Sequence, residues 1–446
     1  MLTFTGSQVA MRGDNDILAD HFGLSPLFQG TVVVEPRVQT GLVDLGFYFG
    51  FDAWVDGLYL KIHAPIVGVR QEIELKEHIT NNGLSTPFPA LYITDGALQP
   101  NVSTIKDAFR RTAPFGDVTE GLNFGRIAGP QTKVGLSDIQ AVVGWNFVNR
   151  YRGHAGFNLR VAAPTGNRST GQFFFEPMVG NGKHWEFGVG FSGRALLWER
   201  DDNQQWNWYI DFNAMHLFKA RNKRSFDLHN TVDATQSTNV RNRFGTRYTL
   251  LKVFDATGNY TRTTVPMINR TTLQCDVSVA VQFEATFMFG YHYDNYTFDV
   301  GYNAWARTRE NICLREMLPA NTYALKGIAN VAEPGPGGQA SIDTQSSATL
   351  HGDPFANQLM VIDALPPVFI QTSDLSTKSA ANPAVFSHKF FTHFGYAWEN
   401  EKPHRCAPFI GVGGEVEFEG VKLAIVEPNK NSLSQWSVWA KGGVAF

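Results

Sequence analysis

The sequence predicts an all-β protein, a transmembrane antiparallel up-and-down β-barrel of about twelve strands, within roughly ten to sixteen. Three observations lead there. Apolar and polar residues alternate with a period of two over unusually long stretches, where ordinary strands have about five or six residues. The connections alternate between short turns and long loops, which in an antiparallel sheet puts all the short ones at one end. The polar faces are rich in Gly, Asn and Gln rather than Lys and Glu, unlike the solvated face of a soluble sandwich.

The clearest element is a hairpin over 271–308. Leu273, Cys275, Val277, Val279, Val281, Phe283, Ala285, Phe287, Phe289 and Tyr291 share one parity, and Gln274, Asp276, Ser278, Gln282, Glu284 and Thr286 the other. After Asp294-Asn295 the pattern restarts with Tyr296, Phe298, Val300 and Tyr302. The same period marks strands near 31–38, 43–51, 58–63, 138–147, 154–163, 185–194, 206–214, 388–400, 410–418 and 435–446. "QTG" is read as a short turn between the first two. "VDG", "NRYRG", "ERDDNQ", "DN" and "NEKPHR" are the turns at one end, and loops at about 67–136, 164–183, 219–272, 310–387 and 421–433 lie at the other. Loops this long are expected to carry folded segments, such as a short helix at "ENICLREML" (310–318), while 332–352 is turn-rich. Residues 1–30 form a separate N-terminal segment, a leading arm at the short-turn end or a plug inside the barrel, and 31–446 a single barrel.

Composition excludes other classes. No run of about 18 apolar residues is present, so a transmembrane helix is not expected. A net charge of -3 gives no reason to expect nucleic acid as a partner. The three cysteines, Cys275, Cys313 and Cys406, fit neither a disulfide scaffold nor a metal site; Cys275 is expected on the lipid face, with no intramolecular disulfide. No nucleophile motif, Walker loop, zinc signature or Rossmann pattern occurs, so the expectation is no enzyme, no cofactor and no metal. The first residues lack the basic and apolar regions of a signal peptide; if the chain is exported, any signal has already been removed.

The last strand, "SQWSVWAKGGVAF", resembles the C-terminal signature by which bacterial outer-membrane proteins are recognised for barrel assembly. Trp436, Val438, Ala440, Val444 and Phe446 match it, and Gly442 is smaller than usual. "VGLSDIQAVVGWNF…HAGFNLRVAAPTGN" (134–167) and "FEPMVGNGKHWEFGVG" (175–190) are similar to segments of the fatty-acid and aromatic-compound (phenol meta-pathway) outer-membrane transporters. The resemblance implies a bacterial outer-membrane location, short periplasmic turns, long extracellular loops, and outer-membrane lipid and the barrel-assembly machinery as partners. A homo-oligomer is left open.

The polar parity then lines the lumen: Asp44, Asp52, Lys61, His63, Asp138, Gln140, Asn158, Arg160, Glu186, Arg194, Asp211, Asp276, Glu284, Asp299, Arg307, Glu415, Glu417 and Lys441. Its slight acidic excess would weakly favour cations. The expected function is a porin-type channel for passive diffusion of small solutes. The alternatives are a barrel-anchored surface protein whose loops mediate adhesion or lattice contacts, and a plugged transporter for hydrophobic compounds.

Overall fold

The structure, a computed structural model, describes residues 1–10, 16–88, 92–93, 96–200, 203–228, 246–258, 260–326, 369–398, 407–419 and 434–445. The strands in chain order are β1 (Leu2–Thr5), β2 (Ile17–Leu18), β3 (Gln29–Gly50), β4 (Leu58–Asn81), β5 (Gln131–Leu136), β6 (Ile139–Arg150) and β7 (Gly153–Ala163). They continue with β8 (Glu186–Arg200), β9 (Gln204–Ser225), β10 (Asp227–Leu228), β11 (Leu250–Phe254), β12 (Tyr260–Pro266), β13 (Thr272–Tyr293) and β14 (Tyr296–Arg307). The last are β15 (Glu310–Leu314), β16 (Tyr323–Leu325), β17 (Leu375–Ser376), β18 (Val385–Ala397), β19 (Ala407–Glu419) and β20 (Gln435–Ala445).

One large sheet dominates, curled as a half-barrel. Its long strands follow the order β3-β4-β6-β7-β8-β9-β13-β14-β18-β19-β20, each antiparallel to the next, with β1 and β2 added beside the start of β3. Among the described residues no ladder joins β3 to β20. The predicted alternation of connections holds: β3 and β4, β6 and β7, β8 and β9, β13 and β14, and β18 and β19 follow each other closely in the chain, and these pairs adjoin at the same end of the sheet. At the tightest of these, Asp294 takes φ 45°, a left-handed conformation that Asp tolerates in turns.

The sequence reading needs correcting at three places. "QTG" is not a turn: Gln39, Thr40 and Gly41 pair with Arg70, Val69 and Gly68 inside one unbroken ladder, so the two strands expected at 31–38 and 43–51 are one. The long path therefore has eleven strands among the described residues. The helix expected at 310–318 is the strand β15, paired along the upper half of β13. The loop expected from 67 begins only after Asn81, because β4 continues as the partner of β3. The turn-rich stretch 332–352 lies outside the described residues.

The opening hairpin is also less uniform than its period suggests. Leu217 and Met215 of β9 pair with Val279 and Gln282 of β13, so β13 carries one extra residue there, at Ala280-Val281. One step further, Ala220 and Leu217 face Val277 and Val279, and β9 carries the extra residue, at Phe218-Lys219. A bulge of this kind leaves the sequence alternation intact while exchanging the faces. Cys275 is thus buried with Val277, Phe226 and Met267 rather than on the convex face, and Asp276 leaves the concave one. Cys275 and Cys313 are both free thiols, on opposite faces of the β13–β15 ladder; Cys406 lies outside the described residues.

At the long-connection end, segments scattered along the chain build a packed layer. Phe4, Phe22, Leu24 and Phe28 of the N-terminal segment are fully buried with Phe109, Tyr248 and Ile268. Phe22 meets Phe4 and Phe109 edge-on at 5.5 and 5.3 Å. The layer rests on Val32, Ile73 and Leu75, which share the parity of Lys61 and Tyr48 and so lie on the concave side. The N-terminal segment, expected as an arm at the short-turn end or a plug, packs with the long connections on the concave side of the sheet. A short helix, Ile105–Arg110, is tied to the sheet by Glu77 of β4, whose carboxylate accepts the backbone N–H of Ile105 and Lys106 at 2.9 and 3.2 Å.

Two carboxylates in this layer are shifted in opposite directions. Burial pushes the Asp20 carboxyl above its ordinary range, against hydrogen bonds from the Ser7 amide and hydroxyl. Burial also acts on Glu120, but hydrogen bonds from Arg270 and Asn269 outweigh it and hold its carboxyl below the usual range. Asp20 therefore favours the fold in acid and loses that contribution as pH rises from the ordinary carboxylate value through its raised one. Glu120 contributes at neutral pH, and its share is lost as pH falls through its lowered value. Asp20→Asn is expected to raise the layer's resistance to urea at pH 7 while removing its extra stability in acid, read from protease protection of residues 1–28 against pH. Phe22→Ala is expected to cost the layer about 3–5 kcal/mol; unchanged protection would show that the aromatic cluster does not hold it.

Candidate functional site

The two faces of the sheet differ in kind. On the convex face stand Phe157 and Trp436, 63% and 75% exposed, with Phe47, Trp145, Leu159, Val189, Phe298, Phe394, Val412 and Val438. On the concave face, Asn158, Asn207 and Asp299 are 4%, 1% and 5% exposed. Soluble proteins seldom expose an apolar surface this extensive. Exposed aromatic residues gather beside the short turns (Trp54, Tyr151, Trp198, Trp206, Tyr293, Tyr296, Trp398), and Trp185 and Trp436 stand at the other end. Trp185 and Trp198 flank a single strand about thirteen residues apart, which at a tilt near 45° spans about 30 Å, the thickness of a bilayer's hydrocarbon.

Glycine and aromatic residues share the concave face in cross-strand pairs. Tyr59 lies across Gly144, Phe391 across Gly301, Trp439 across Gly413 and Phe409 across Gly443. A Cβ on Gly144, Gly301 or Gly413 would fall 2.1 to 2.3 Å from the facing ring. The glycine content of the polar faces thus makes room for rings lying flat along the wall.

The predicted lumen residues fall into three groups. Most meet on the concave face in cross-strand pairs. Asp44 bonds His63 at 3.0 Å; Arg160 bonds Asp211 at 2.8 Å and Asn158 at 2.9 Å; Arg194 donates to Asn207 at 2.8 Å. Glu284 accepts from Asn213 and Asn303 at 3.2 and 2.9 Å, and Asp299 bonds His393 at 2.8 Å. Glu415 accepts from Lys389 and Ser437 at 3.2 and 2.9 Å, and Glu417 from Gln435. Gln140 faces His63 across the ladder, and Lys441 lies 5.9 Å from the Trp439 ring.

A second group sits where strands meet the long connections. Asp138 accepts the Asn181 amide at 2.6 Å, Glu186 accepts from the Asn181 side chain, and Arg307 bonds Glu310 at 2.9 Å. The third group is misplaced by the sequence reading. Asp52 lies beyond β3 and caps the 51–57 turn through the Gly57 amide at 2.9 Å. Asp276, displaced by the bulges, pairs with Arg315 at 2.6 Å beside exposed Cys313. Asn213 and Asn303 stood on a polar parity without being assigned to the lumen, and Lys389 and His393 were not singled out. With two acids removed and a lysine added, the expected acidic excess of the concave face shrinks. Trp436, Val438, Ala440 and Val444 share the convex face of β20, and Phe446 lies outside the described residues.

A cavity of about 480 Å³ opens on the concave face between Tyr48, Tyr59, Lys61, His154, Tyr209 and Asp211. Among the described residues there is no cluster of His, Cys, Asp and Glu able to hold a metal ion. Replacing Gly301 by Val should force Phe391 out of place and cost about 1–3 kcal/mol. Gly41→Val, where a Cβ meets nothing within 4 Å, serves as the control; equal urea midpoints for the two variants would refute the ring-over-glycine account.

No protein-family model matches the chain, and no curated protein is detectably similar to it in sequence. The likeness of the last strand and of 134–167 and 175–190 to outer-membrane proteins therefore stands on those residues alone.

Proposed function

We propose that the chain is an outer-membrane channel of bacterial type, with its convex face in lipid and its concave face lining a path for small polar solutes. The observation that carries this reading is the inversion of the sheet: large apolar side chains outside, hydrogen-bonded polar and charged side chains inside. In hydrocarbon every backbone N–H and C=O needs an internal partner, so the reading also requires the sheet to close. Eleven alternating strands leave β3 and β20 running in the same direction, so closure between them makes a parallel seam. With strands about 4.8 Å apart and tilted near 40°, such a barrel has a backbone diameter of about 22 Å, which leaves a narrow passage once side chains are added.

One observation favours the plugged-transporter alternative. The N-terminal segment packs against concave-side residues Val32, Ile73 and Leu75, and so covers that side of the sheet at the long-connection end.

Single-channel recording in planar bilayers separates the readings. Stable steps from the intact protein are expected for the channel. Silence that gives way to steps in Phe22→Ala would identify a plug, and silence in both would leave the barrel as an anchor. Closure is tested with cysteines at Val43 and Val438, with neighbouring positions scanned for register. A disulfide within one chain is expected, and crosslinks only between chains would mean that two copies complete the barrel.

A further inference from the structure

We propose that the concave-face cavity around Tyr48, Tyr59 and Lys61 is a binding subsite for small anionic sugars; this deepens the channel reading and rests on it for access. Tyr48 and Tyr59 stack at 5.8 Å with 22° between their planes. The Lys61 ammonium lies 5.1 Å from the Tyr59 centroid and 5.8 Å from that of Tyr48. Among the described residues Lys61 has no hydrogen bond or ion pair, because the nearby Asp211 is already bonded to Arg160. Arg194 is bound to an amide oxygen rather than a carboxylate, so neither Lys61 nor Arg194 has a carboxylate partner among the described residues. Glu284 on the same wall is likewise bound only to amides. Asn146, Ser192 and Thr286 add amide and hydroxyl groups to the lining.

This set matches one chemistry. A sugar ring presents C–H bonds of slightly positive character to the negative face of a tyrosine ring. Its hydroxyls suit amide and hydroxyl partners, and a carboxylate or phosphate suits an unpaired ammonium in a partly enclosed site. A cavity of about 480 Å³ admits one or two such rings.

The test is isothermal titration of the full chain in detergent micelles with glucuronate, against glucose (ring without charge) and acetate (charge without ring). Glucuronate is expected to bind saturably and at least tenfold more tightly than either. Lys61→Met should weaken it at least tenfold, and Lys61→Arg should restore most of the affinity. Tyr48→Ala, on the exposed edge strand, should weaken it severalfold. Arg37→Met, outside the cavity and paired with Glu74, should change nothing. Equal binding of all three probes, or unchanged affinity in Lys61→Met, overturns the subsite. Glucose 6-phosphate in place of glucuronate distinguishes phosphate from carboxylate preference. Bilayer recording keeps the two proposals apart: conductance without glucuronate binding sinks the subsite alone, and binding without conductance sinks the channel alone.

Discussion

The rest of the structure depends on where the polar groups of a single curved sheet find their partners. Backbone groups are satisfied strand to strand along the ladder from β3 to β20, which frees the side chains to sort by face. The concave wall then satisfies its own polar side chains between strands, as Arg160 does with Asp211 across β8 and Asp299 with His393 on the adjoining strand. The convex wall instead exposes apolar side chains such as Phe157, Leu159 and Val189, and ion pairs there, such as Arg37 with Glu74 and Lys76 with Glu35, stand toward the long-connection end. A sheet built this way is stable in water only at a cost, since burying apolar surface is the main favourable term in folding. An apolar surrounding removes that cost, and the aromatic residues beside the short turns suit the boundary where such a medium meets water.

Strand length reflects two demands rather than one. The lower halves of β9 and β13 belong to the two-faced wall, whereas their upper halves belong to the packed layer around Phe226, Met267, Cys275 and Val277. The paired bulges at Ala280-Val281 and Phe218-Lys219 mark the border. By exchanging faces, they let one uninterrupted apolar parity point outward below and into a core above. A register slip could not do this, since it would move every side chain of the strand at once.

Much of the sheet was legible because the period of two is a local signal that each strand carries by itself. Strand existence, the wall that each parity occupies and the end at which the short turns gather all followed from it. What escaped has a physical reason in each case. The bulges are invisible because alternation continues through them, which misplaced Cys275 and Asp276. Gln39-Thr40-Gly41 has turn-like composition, yet it lies opposite Val69 and Gly68 in a ladder that local residues do not reveal. The layer of Phe4, Phe22, Phe109 and Tyr248 joins segments more than two hundred residues apart, so no spacing in the sequence announces it. A concave-face partner such as Asn303 sat on the polar parity, but only the register shows which carboxylate it meets, and His393 takes no face from the sequence at all.

The two edge strands set the remaining constraint. From Val33 to Gly50, β3 has no ladder on its outer side among the described residues, and β20 has none beyond β19. On β3 both faces are open: Leu42 and Tyr48 of the concave parity are exposed, as are Val43 and Phe47 of the convex one. Soluble sheets blunt such edges with charge, proline or brevity, because a long apolar edge recruits other strands. Here the unpaired edge runs 18 residues, 33–50, with Glu35, Pro36 and Arg37 in its upper part and Asp44 the one charge in a largely apolar lower half. An edge of that kind is tolerable where a partner strand is always at hand, and the nearest candidate in the same sheet is β20. Because an odd number of alternating strands separates like directions, that partnership must be parallel, with evenly spaced, slanted hydrogen bonds and somewhat less stability per residue than the antiparallel ladders elsewhere. The seam is thus the weakest line of the proposed barrel. It lies beside Tyr48, at the wall that also carries Lys61, so opening the seam and filling the cavity would compete for the same strand.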